Sequence, residues 1–336
     1  MGGDFAPQKI VEGAVLAARE IHASIVLVGQ VEAVERELEK HNLSGLSITI
    51  HPASQVIEME ESPSKASKTK QDSSIVVATK LLADKKADAL VSAGNSGAVM
   101  TSALRYLGRI HGVYRPAIVT VIPTQSGHCM VADVGANVDC KPEYLLQFAI
   151  MAKIAAETIL NIKNPKVGLL SIGEEKEKGN HLTKHAYPIL EKCKDIHFVG
   201  NVEGRDIPKG KSDVVVCDGF SGNVVLKTME GTADVMGRML KTEISASLIA
   251  KLGYFLAKPA FNRFRKRLDY SEYGGAPLLG VNGVCIISHG KSTGKAIKNA
   301  VRMANLVAER GVLERIRTEI QTFTPHHDPI EIPAHF

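Results

Sequence analysis

The stretch Asp213-Val-Val-Val-Cys-Asp-Gly-Phe-Ser-Gly-Asn223 decides the fold. Its continuous apolar run, residues 214–217, predicts a strand that is buried on both faces of a parallel sheet. A glycine-rich turn follows, and the residues from 224 onward have helical character. A strand that turns sharply into a helix presents free backbone N–H groups at the positive end of the helix dipole. The stretch therefore predicts an anion-binding turn, with an ordinary tight connection as the plainer alternative.

The same strand-and-turn pattern recurs along the chain. Strands are predicted at 23–28, 46–50, 87–92, 128–133, 167–171, 196–199, 214–217 and 284–288. The last six of these end in turns rich in Gly, Asn, Asp and Ser. Because ligands of open α/β sheets bind outside the carboxyl ends of the strands, we expect the six turns to face one edge and form an active site.

The alternation of strands and helices predicts the α/β class, with a three-layer αβα arrangement around a mostly parallel twisted sheet. One large domain is expected over residues 1–322, followed by a loose tail over 323–336. Residues 223–272 interrupt the alternation and predict a helical hairpin that projects from the sheet. Residues 58–74 are polar, which favours a solvated connection; a mobile basic loop over an anionic ligand is the alternative.

Composition excludes several classes of protein. The net charge of +5 is too small to indicate nucleic-acid binding, and no apolar run approaches the ~18 residues of a membrane span. The five cysteines are odd in number and widely spaced, which predicts reduced thiols and a cytosolic protein. The run His326-His327-Asp328 lies in the tail, and adjacent residues there rarely bind a metal. We therefore expect no metal site.

Two familiar ligand-binding motifs are incomplete. Gly290-Lys291-Ser292 resembles the end of a nucleotide P-loop, but Cys285 occupies the position of the first glycine. The segments 94–97 and 219–222 lack the first glycine of the dinucleotide fingerprint. No hydrolase elbow or zinc-protease motif is present either. The sequence therefore predicts chemistry without a cofactor.

Seven segments, in the same order along the chain, resemble one family: the phosphate acyltransferases that convert acyl–acyl-carrier protein to acyl phosphate in bacterial phospholipid synthesis. The matching segments are Met1-Gly-Gly-Asp-x-Ala-Pro7, Ser92-Ala-Gly-Asn-Ser-Gly97, Asp133-Val-Gly-Ala-Asn-Val-Asp-x-Lys-Pro-Glu143, Lys178-Gly-Asn-x-Leu-Thr-Lys184, Gly200-Asn-Val-Glu-Gly-Arg-Asp206, Asp218-Gly-Phe-Ser-Gly-Asn223 and Asp269-Tyr-Ser-x-Tyr-Gly-Gly275. Their number and order make the resemblance specific.

The resemblance implies a fold like that of the isopropylmalate dehydrogenases and phosphotransacetylases, and a homodimer. It also implies acyl carrier protein and inorganic phosphate as substrates. The expected location is cytoplasmic, peripherally on the inner face of the cell membrane, with hand-over of the product to a membrane glycerol-3-phosphate acyltransferase. The sequence departs from the family in two places. The short strand that precedes the Met-Gly-Gly-Asp motif is missing, and residues 63–74 lack the family's arginine-containing basic pattern.

Inorganic phosphate is itself a nucleophile, so the reaction needs positioning and charge stabilisation more than a reactive side chain. We predict that Lys178 steers phosphate, that Asn223 donates to the thioester oxyanion and that His289 moves a proton. The alternatives are a solvated lysine, an N-cap asparagine and a structural histidine. The other predicted substrate- and phosphate-binding residues are Gly2, Gly3, Asp4, Asn95, Ser96, Asn137, Lys184, Asp218, Gly219, Ser221 and Gly222.

The second helix of the hairpin combines positive charge with large apolar residues. Between Leu248 and Leu268 lie six basic residues and no acidic one. This composition predicts contact with anionic lipid, with a helix-bundle core of a dimer as the alternative. The same charges could also steer the acidic carrier protein. The predicted contact residues are Leu252, Phe255, Arg263, Arg265 and Lys266.

Two other functions fit the sequence less well. A phosphotransacetylase-type enzyme would transfer an acyl group from acyl-CoA to phosphate, and assays with both thioesters separate the two enzymes. A non-catalytic membrane-surface scaffold would bind lipid and make no acyl phosphate.

Overall fold

The computed structural model describes residues 1–125, 127–268 and 272–322, without the side chains of 265–268 and 321–322. Strands alternate with helices along most of this part of the chain. The strands are β1 (Ile25–Gly29), β2 (Ile48–Pro52), β3 (Ala89–Ser92), β4 (Ala117–Pro123), β5 (His128–Ala132), β6 (Lys166–Leu170), β7 (His197–Val202), β8 (Val214–Val216), β9 (Ala276–Leu279) and β10 (Val284–Ile287). The helices are α1 (Gln8–Ile21), α2 (Val31–Leu38), α3 (Pro63–Thr69), α4 (Ser74–Ala83), α5 (Ser96–Tyr106), α6 (Pro142–Ile159), α7 (His181–Lys192), α8 (Gly219–Ala246), α9 (Leu248–Leu268), α10 (Gly294–Glu309) and α11 (Val312–Thr322).

Eight strands form one mixed sheet in the order β3-β10-β9-β4-β5-β8-β6-β7, and β1 and β2 pair separately. The pairs β1–β2, β3–β10, β5–β8, β6–β8 and β6–β7 are parallel, whereas β4–β5, β4–β9 and β9–β10 are antiparallel. The predicted α/β class with a mostly parallel sheet is confirmed.

The expectation that six turns face one edge is wrong. The three antiparallel pairings between β10 and β5 reverse the direction of β3 and β10 relative to β5, β6, β7 and β8. The carboxyl ends therefore form two groups that point toward each other across β9 and β4. Ile287 at the end of β10 pairs with Ala276, and Ala132 at the end of β5 pairs with Val119 of β4.

Helices cover both faces of the sheet and produce the expected three layers. Alternate residues of β4 point to opposite faces: Val119 and Val121 belong to one buried cluster, and Ile118 and Ile122 to the other. Helix α6 fills the first cluster, and its buried residues surround the helix rather than lying on one stripe. A helix that is apolar on all sides is typical of a core position.

The interpretation of residues 58–74 as a solvated loop is wrong, because the segment contains helix α3. Pro63 occupies the first turn of that helix, where its missing N–H costs nothing. Ser67 is buried, and its hydroxyl donates to the Pro63 carbonyl oxygen at 2.7 Å. Lys70 forms an ion pair with Glu61 at 2.6 Å and also donates to a backbone carbonyl. This segment is packed against the domain.

A groove of about 360 Å³ separates β1 from β3. β1 pairs with β2 on its other side, and β3 pairs with β10, so each strand turns an edge toward the groove. The predicted domain bounds stay a prediction, and the tail over 323–336, with His326-His327-Asp328, lies outside the described residues.

Candidate active site

A cleft of about 600 Å³ opens where the two groups of carboxyl ends approach each other. β4 pairs with β9 through Ala117 and Ile118, while its pairing with β5 runs on from Val119 to Pro123. The edge of β4 beyond Ile118 consequently borders the cleft. The other walls are the first turns of α8, the residues before β9 and the loop after β10.

The loop after β5 is organised by the buried carboxylate of Asp133. Oδ1 accepts hydrogen bonds from the backbone N–H groups of Ile118 and Ala136, both at 3.0 Å. Oδ2 accepts from the Asn137 backbone at 2.6 Å and from its side-chain amide at 2.9 Å. Burial raises the pKa of the Asp133 carboxyl, and these hydrogen bonds act in the opposite direction. Asp133 thereby fixes the loop over 133–137 as one unit.

The start of α8 packs against this loop. The Gly219 N–H donates to the Asn137 carbonyl oxygen at 2.7 Å, and the Asn223 side-chain amide donates to the Val134 carbonyl oxygen at 3.1 Å. A Cβ at Gly222 would overlap the Asp133 carbonyl oxygen. The predicted residues that the structure brings together here are Asn137, Asp218, Gly219, Ser221, Gly222 and Asn223.

Asp218 caps α8, because its side chain accepts from the Ser221 N–H at 2.8 Å and from the Ser221 hydroxyl at 2.8 Å. The alternative that Asn223 is the N-cap is therefore wrong. Asn223 lines the cleft instead.

A second set of predicted residues meets at the ends of β3 and β10. The Asp4 N–H donates to the Gly290 carbonyl oxygen at 3.0 Å, and a Cβ at Gly3 would lie 2.8 Å from the Ala93 carbonyl oxygen. Gly2 has a φ of +93°, and a Cβ there would lie 2.7 Å from the Ile57 carbonyl oxygen. These glycines allow the amino-terminal segment to pass close to the strand ends.

Asn95 is buried and fully engaged in the protein. Its side-chain oxygen accepts from the Ala98 N–H at 3.0 Å and caps α5. Its amide group donates to the carbonyl oxygens of Glu58, Met59 and Glu61. Asn95 therefore anchors the segment before α3, and the next residue, Ser96, lines the cleft.

Ser96 and Ser292 bring the starts of two helices to the cleft. Ser96 is the first residue of α5, and Ser292 is followed by Thr293, whose hydroxyl caps α10. Helix starts carry unpaired N–H groups and partial positive charge, which suit a phosphate or another anion.

His289 and Lys227 face the same cleft. Burial and the nearby Lys227 lower the pKa of His289 below its usual value. Nδ1 of His289 accepts from the Lys291 N–H at 3.1 Å, so the neutral ring carries its proton on Nε2. Lys227 forms an ion pair with Glu230 at 2.9 Å. The site thus combines a neutral histidine with a cation that is already paired.

Lys178 and Lys184 lie elsewhere, in the segment after β6. Both are exposed, and neither lines the cleft. The Lys178 carbonyl oxygen accepts from the Ser171 hydroxyl at 3.1 Å, which ties the loop back to the end of β6. Their roles toward phosphate stay predictions.

The thiols near the loop are poor nucleophiles. Burial raises the pKa of Cys217 well above its usual value, and burial with nearby Asp133 raises the pKa of Cys140 to about 12. Both therefore remain protonated at neutral pH, and only a thiolate attacks efficiently.

The hairpin of α8 and α9 presents large apolar side chains to solvent. Leu252 is 63 % exposed and Phe255 is 69 % exposed. Tyr254 and Phe261 are half-buried, and their rings contact each other. Arg263 is exposed, whereas the side chains of Arg265 and Lys266 lie outside the described residues. Within the described ranges, no helix is long and apolar enough to span a membrane.

Residues 1–315 match the family model described as "Fatty acid synthesis protein". The chain is 53 % identical over 322 residues to the phosphate acyltransferase of Pelotomaculum thermopropionicum, covering 96 % of this chain and 94 % of that one. It is 51 % identical over 322 residues to the phosphate acyltransferase of Geobacter sulfurreducens, covering 96 % and 93 %. The chain belongs to the phosphate acyltransferase family. As a phosphate acyltransferase family member it is an acyltransferase enzyme, which confirms the resemblance seen in the sequence.

Solved structures support the fold of this phosphate acyltransferase family member. A phosphotransacetylase from Streptococcus pyogenes has a TM-score of 0.60 at 18 % identity, covering 92 % of both chains. The EutD phosphotransacetylase from Staphylococcus aureus has a TM-score of 0.57 at 14 % identity, covering 90 % of this chain and 91 % of that one. At these identities the likeness shows a common fold alone, and it confirms the predicted phosphotransacetylase-like architecture.

Sequence reasoning missed three groups that the structure places at the site. Asp133 was predicted as the last residue of the strand over 128–133 and was given no role at the site, whereas β5 ends at Ala132 and Asp133 organises the loop that follows. Lys227 sits one helical turn beyond Asn223, on the helix that the glycine-rich turn opens. Ser292 belongs to the segment whose partial P-loop resemblance was set aside because the first glycine is missing.

Proposed function

We propose that the protein transfers a fatty acyl group from acyl–acyl-carrier protein to inorganic phosphate and releases acyl phosphate for phospholipid synthesis. The observation that carries this proposal is the dual chemistry of the cleft. One part of the cleft is polar and is lined by His289 and by the serines at two helix starts. The other part is apolar and is lined by Ile118, Ile122 and one face of α8. A phosphate and a hydrocarbon chain are the two substrates that such a cleft accommodates together.

The chemistry balances without a redox step or a covalent enzyme intermediate. A phosphate oxygen attacks the thioester carbonyl carbon and forms the new C–O bond. The C–S bond then breaks, and the carrier thiolate leaves with the bonding electron pair and takes up a proton. Since the nearby thiols stay protonated, phosphate itself is the nucleophile in this scheme.

The described residues suggest roles for this step. Ser96, Ser292 and the helix starts behind them bind phosphate. The Nε2–H of the neutral His289 ring donates a hydrogen bond to the leaving thiolate, and the proton that the thiolate takes up comes from the hydrogen phosphate that attacked. Asn223 is the predicted donor to the thioester oxyanion. Its side-chain amide donates to the Val134 carbonyl oxygen in the structure. Lys178 and Lys184 remain proposed phosphate-steering cations.

The deciding experiment measures release of the carrier-protein thiol from acyl–acyl-carrier protein with and without inorganic phosphate. We expect release that depends on phosphate and yields acyl phosphate in equal amount. Faster turnover with acyl-CoA than with the carrier-protein thioester would favour the phosphotransacetylase-type alternative. Thiol release that ignores phosphate, or no release at all, would overturn the proposal.

We also propose that the enzyme works as a homodimer at the inner face of the cell membrane and hands acyl phosphate to a membrane glycerol-3-phosphate acyltransferase. The exposed apolar side chains of the hairpin support this. The exposed side chains of α9 include Leu248, Ile249, Leu252, Phe255 and Leu256. Side chains of this size are exposed when they contact a lipid surface or another protein chain.

A further inference from the structure

One face of α8 connects the cleft to the outer half of the hairpin. Leu226, Met229 and Ala233 line the cleft, at the spacing that places residues on one side of a helix. Met236 and Leu240 continue the same spacing, and they are 63 % and 41 % exposed. We call these five residues the α8 stripe. It is apolar along its whole length.

The α8 stripe and β4 both start beside the loop over 133–137, at the end of the cleft where the reaction would take place. The Ile118 N–H donates to Asp133, and the Asn223 amide donates to Val134, so β4 and α8 are both anchored to the loop over 133–137. Ile118 and Ile122 project from the same face of β4, and they share a buried cluster that Leu226 contacts. A chain that reacts beside this loop therefore has an apolar passage between β4 and α8.

Ala233 is the narrowest side chain of the stripe, between Met229 and Met236. It lies ten residues beyond Asn223, which corresponds to about 15 Å along a helix. It is also the last residue of α8 that lines the cleft, and the stripe is solvent-exposed beyond it. Ala233 fills less space at this point than the methionines on either side of it, and Phe264 of α9 is the other hairpin residue beyond Asn223–Ala233 that lines the cleft among the described residues.

We propose that the α8 stripe is the acyl-chain subsite and that Ala233 determines how long an acyl chain the enzyme accepts. Short chains end before Ala233. Long chains pass over it and lie along Met236 and Leu240. This inference rests on the proposed function, and it assigns the chain-length preference to one described side chain.

The test compares Ala233→Phe with Thr232→Phe. Thr232 is exposed and does not line the cleft, so the second variant adds the same ring one residue away from the stripe. The measurement is kcat/KM for octanoyl, dodecanoyl and hexadecanoyl carrier-protein thioesters with inorganic phosphate.

In Ala233→Phe, we expect the ratio of hexadecanoyl to octanoyl kcat/KM to fall by about tenfold or more, because at least two methylene groups lose their apolar contact. In Thr232→Phe the ratio should stay as in the unaltered enzyme. If Ala233→Phe does not fold, Ala233→Leu should give a smaller shift in the same direction. A ratio that Ala233→Phe and Ala233→Leu leave unchanged, or a loss that is equal for all three chain lengths, overturns the inference.

The unaltered enzyme separates this inference from the proposed function. If it releases thiol from all three thioesters in a phosphate-dependent way, the proposed function stands whatever the variants do. If it releases none from any of them, the proposed function fails, and the inference fails with it.

Discussion

The two ends of α8 differ in how closely the rest of the protein surrounds them. At the first turn, a single added Cβ on Gly222 would overlap the backbone of the Asp133 loop. In the outer half, a Cβ on Gly237 would meet no atom within 4 Å. One helix therefore begins in a position fixed by the sheet and continues into a segment that the domain does not contact. The fixed end suits the alignment of reacting groups, and the free end suits contact with another surface.

Alanine at the fixed end of α8 should have the largest effect on stability and activity. Gly222→Ala should destabilise the fold by about 3 kcal/mol or more, because backbone atoms must move to admit the methyl group. Turnover should be lost with it. Urea unfolding and phosphate-dependent thiol release provide the two measurements.

Gly237→Ala is the matched control in the same helix. It should raise stability by up to about 1 kcal/mol, since alanine is the better helix former and nothing opposes its methyl group. Equal destabilisation by both substitutions would contradict the distinction between the two ends.

Replacing the acceptor that organises the loop should cost less stability and still abolish much of the activity. Asp133→Asn keeps the shape but exchanges one carboxylate oxygen for a donor that faces other donors. We expect a destabilisation of about 1–3 kcal/mol and a fall of about 10²-fold in kcat, comparable to loss of one oxyanion donor. Steady-state kinetics at a temperature where the variant is folded would check this. Normal kcat would show that the loop geometry does not matter to the reaction.

The residues predicted from the sequence come next. Lys178→Ala and Asn223→Ala should each lower turnover by about 10²-fold while the fold survives. Measuring both variants tests whether a residue outside the cleft takes part in the reaction, because Asn223 lines the cleft and Lys178 does not. Near-normal turnover in either variant removes that residue from the mechanism, and circular dichroism controls for folding.

Charged substitutions at the tip of the hairpin should leave the enzymatic activity intact. Leu252→Glu combined with Phe255→Glu should abolish sedimentation with anionic vesicles and leave a dimer that still makes acyl phosphate in solution. Vesicle sedimentation and size-exclusion chromatography measure the two properties. A monomeric variant would assign these side chains to the dimer instead, and undiminished vesicle binding would remove the tip as a membrane contact.

The smallest effect concerns the pH dependence of stability at His289. Its pKa is lowered in the folded protein, so the unfolded chain binds the proton more tightly. Stability should therefore fall as the pH drops from the ordinary histidine value through the lowered one. His289→Gln should flatten this part of the curve, measured by urea unfolding between pH 7.5 and about pH 5. An unchanged slope would show that another group is responsible.

Several elements that are encoded by short stretches of sequence were predicted correctly. The run before Asp218 is buried as expected, the glycine-rich turn does open a helix, and α8 and α9 form the predicted hairpin. Two strands were missed. β4 lies in no predicted strand although residues 117–123 form an apolar, β-branched run, and β9 has four residues and contains Pro277, which argues against a strand in sequence patterns. In the structure, Pro277 pairs with Ile286 in an antiparallel ladder.

The site was harder to predict than the strands, because its geometry depends on strand direction. The reversal between β10 and β5 follows from which strands become neighbours, and no local pattern contains that information. The turns were identified correctly as polar and glycine-rich, yet their arrangement as two facing groups was not. Asp133 illustrates the same limit: the sequence placed it at the end of a strand, and only the structure shows five hydrogen-bond donors around its buried carboxylate.

The continuity of α8 also restricts how the gene can change. Each residue inserted into a helix rotates everything beyond it by about 100° and advances it by about 1.5 Å. A single insertion between Asn223 and Met236 would turn the outer half of the stripe away from the cleft. Insertions of seven residues come close to restoring the phase, and α9 would need a matching addition to keep its contacts with α8. The length of the hairpin should therefore vary among descendants of this gene in paired steps of two helical turns.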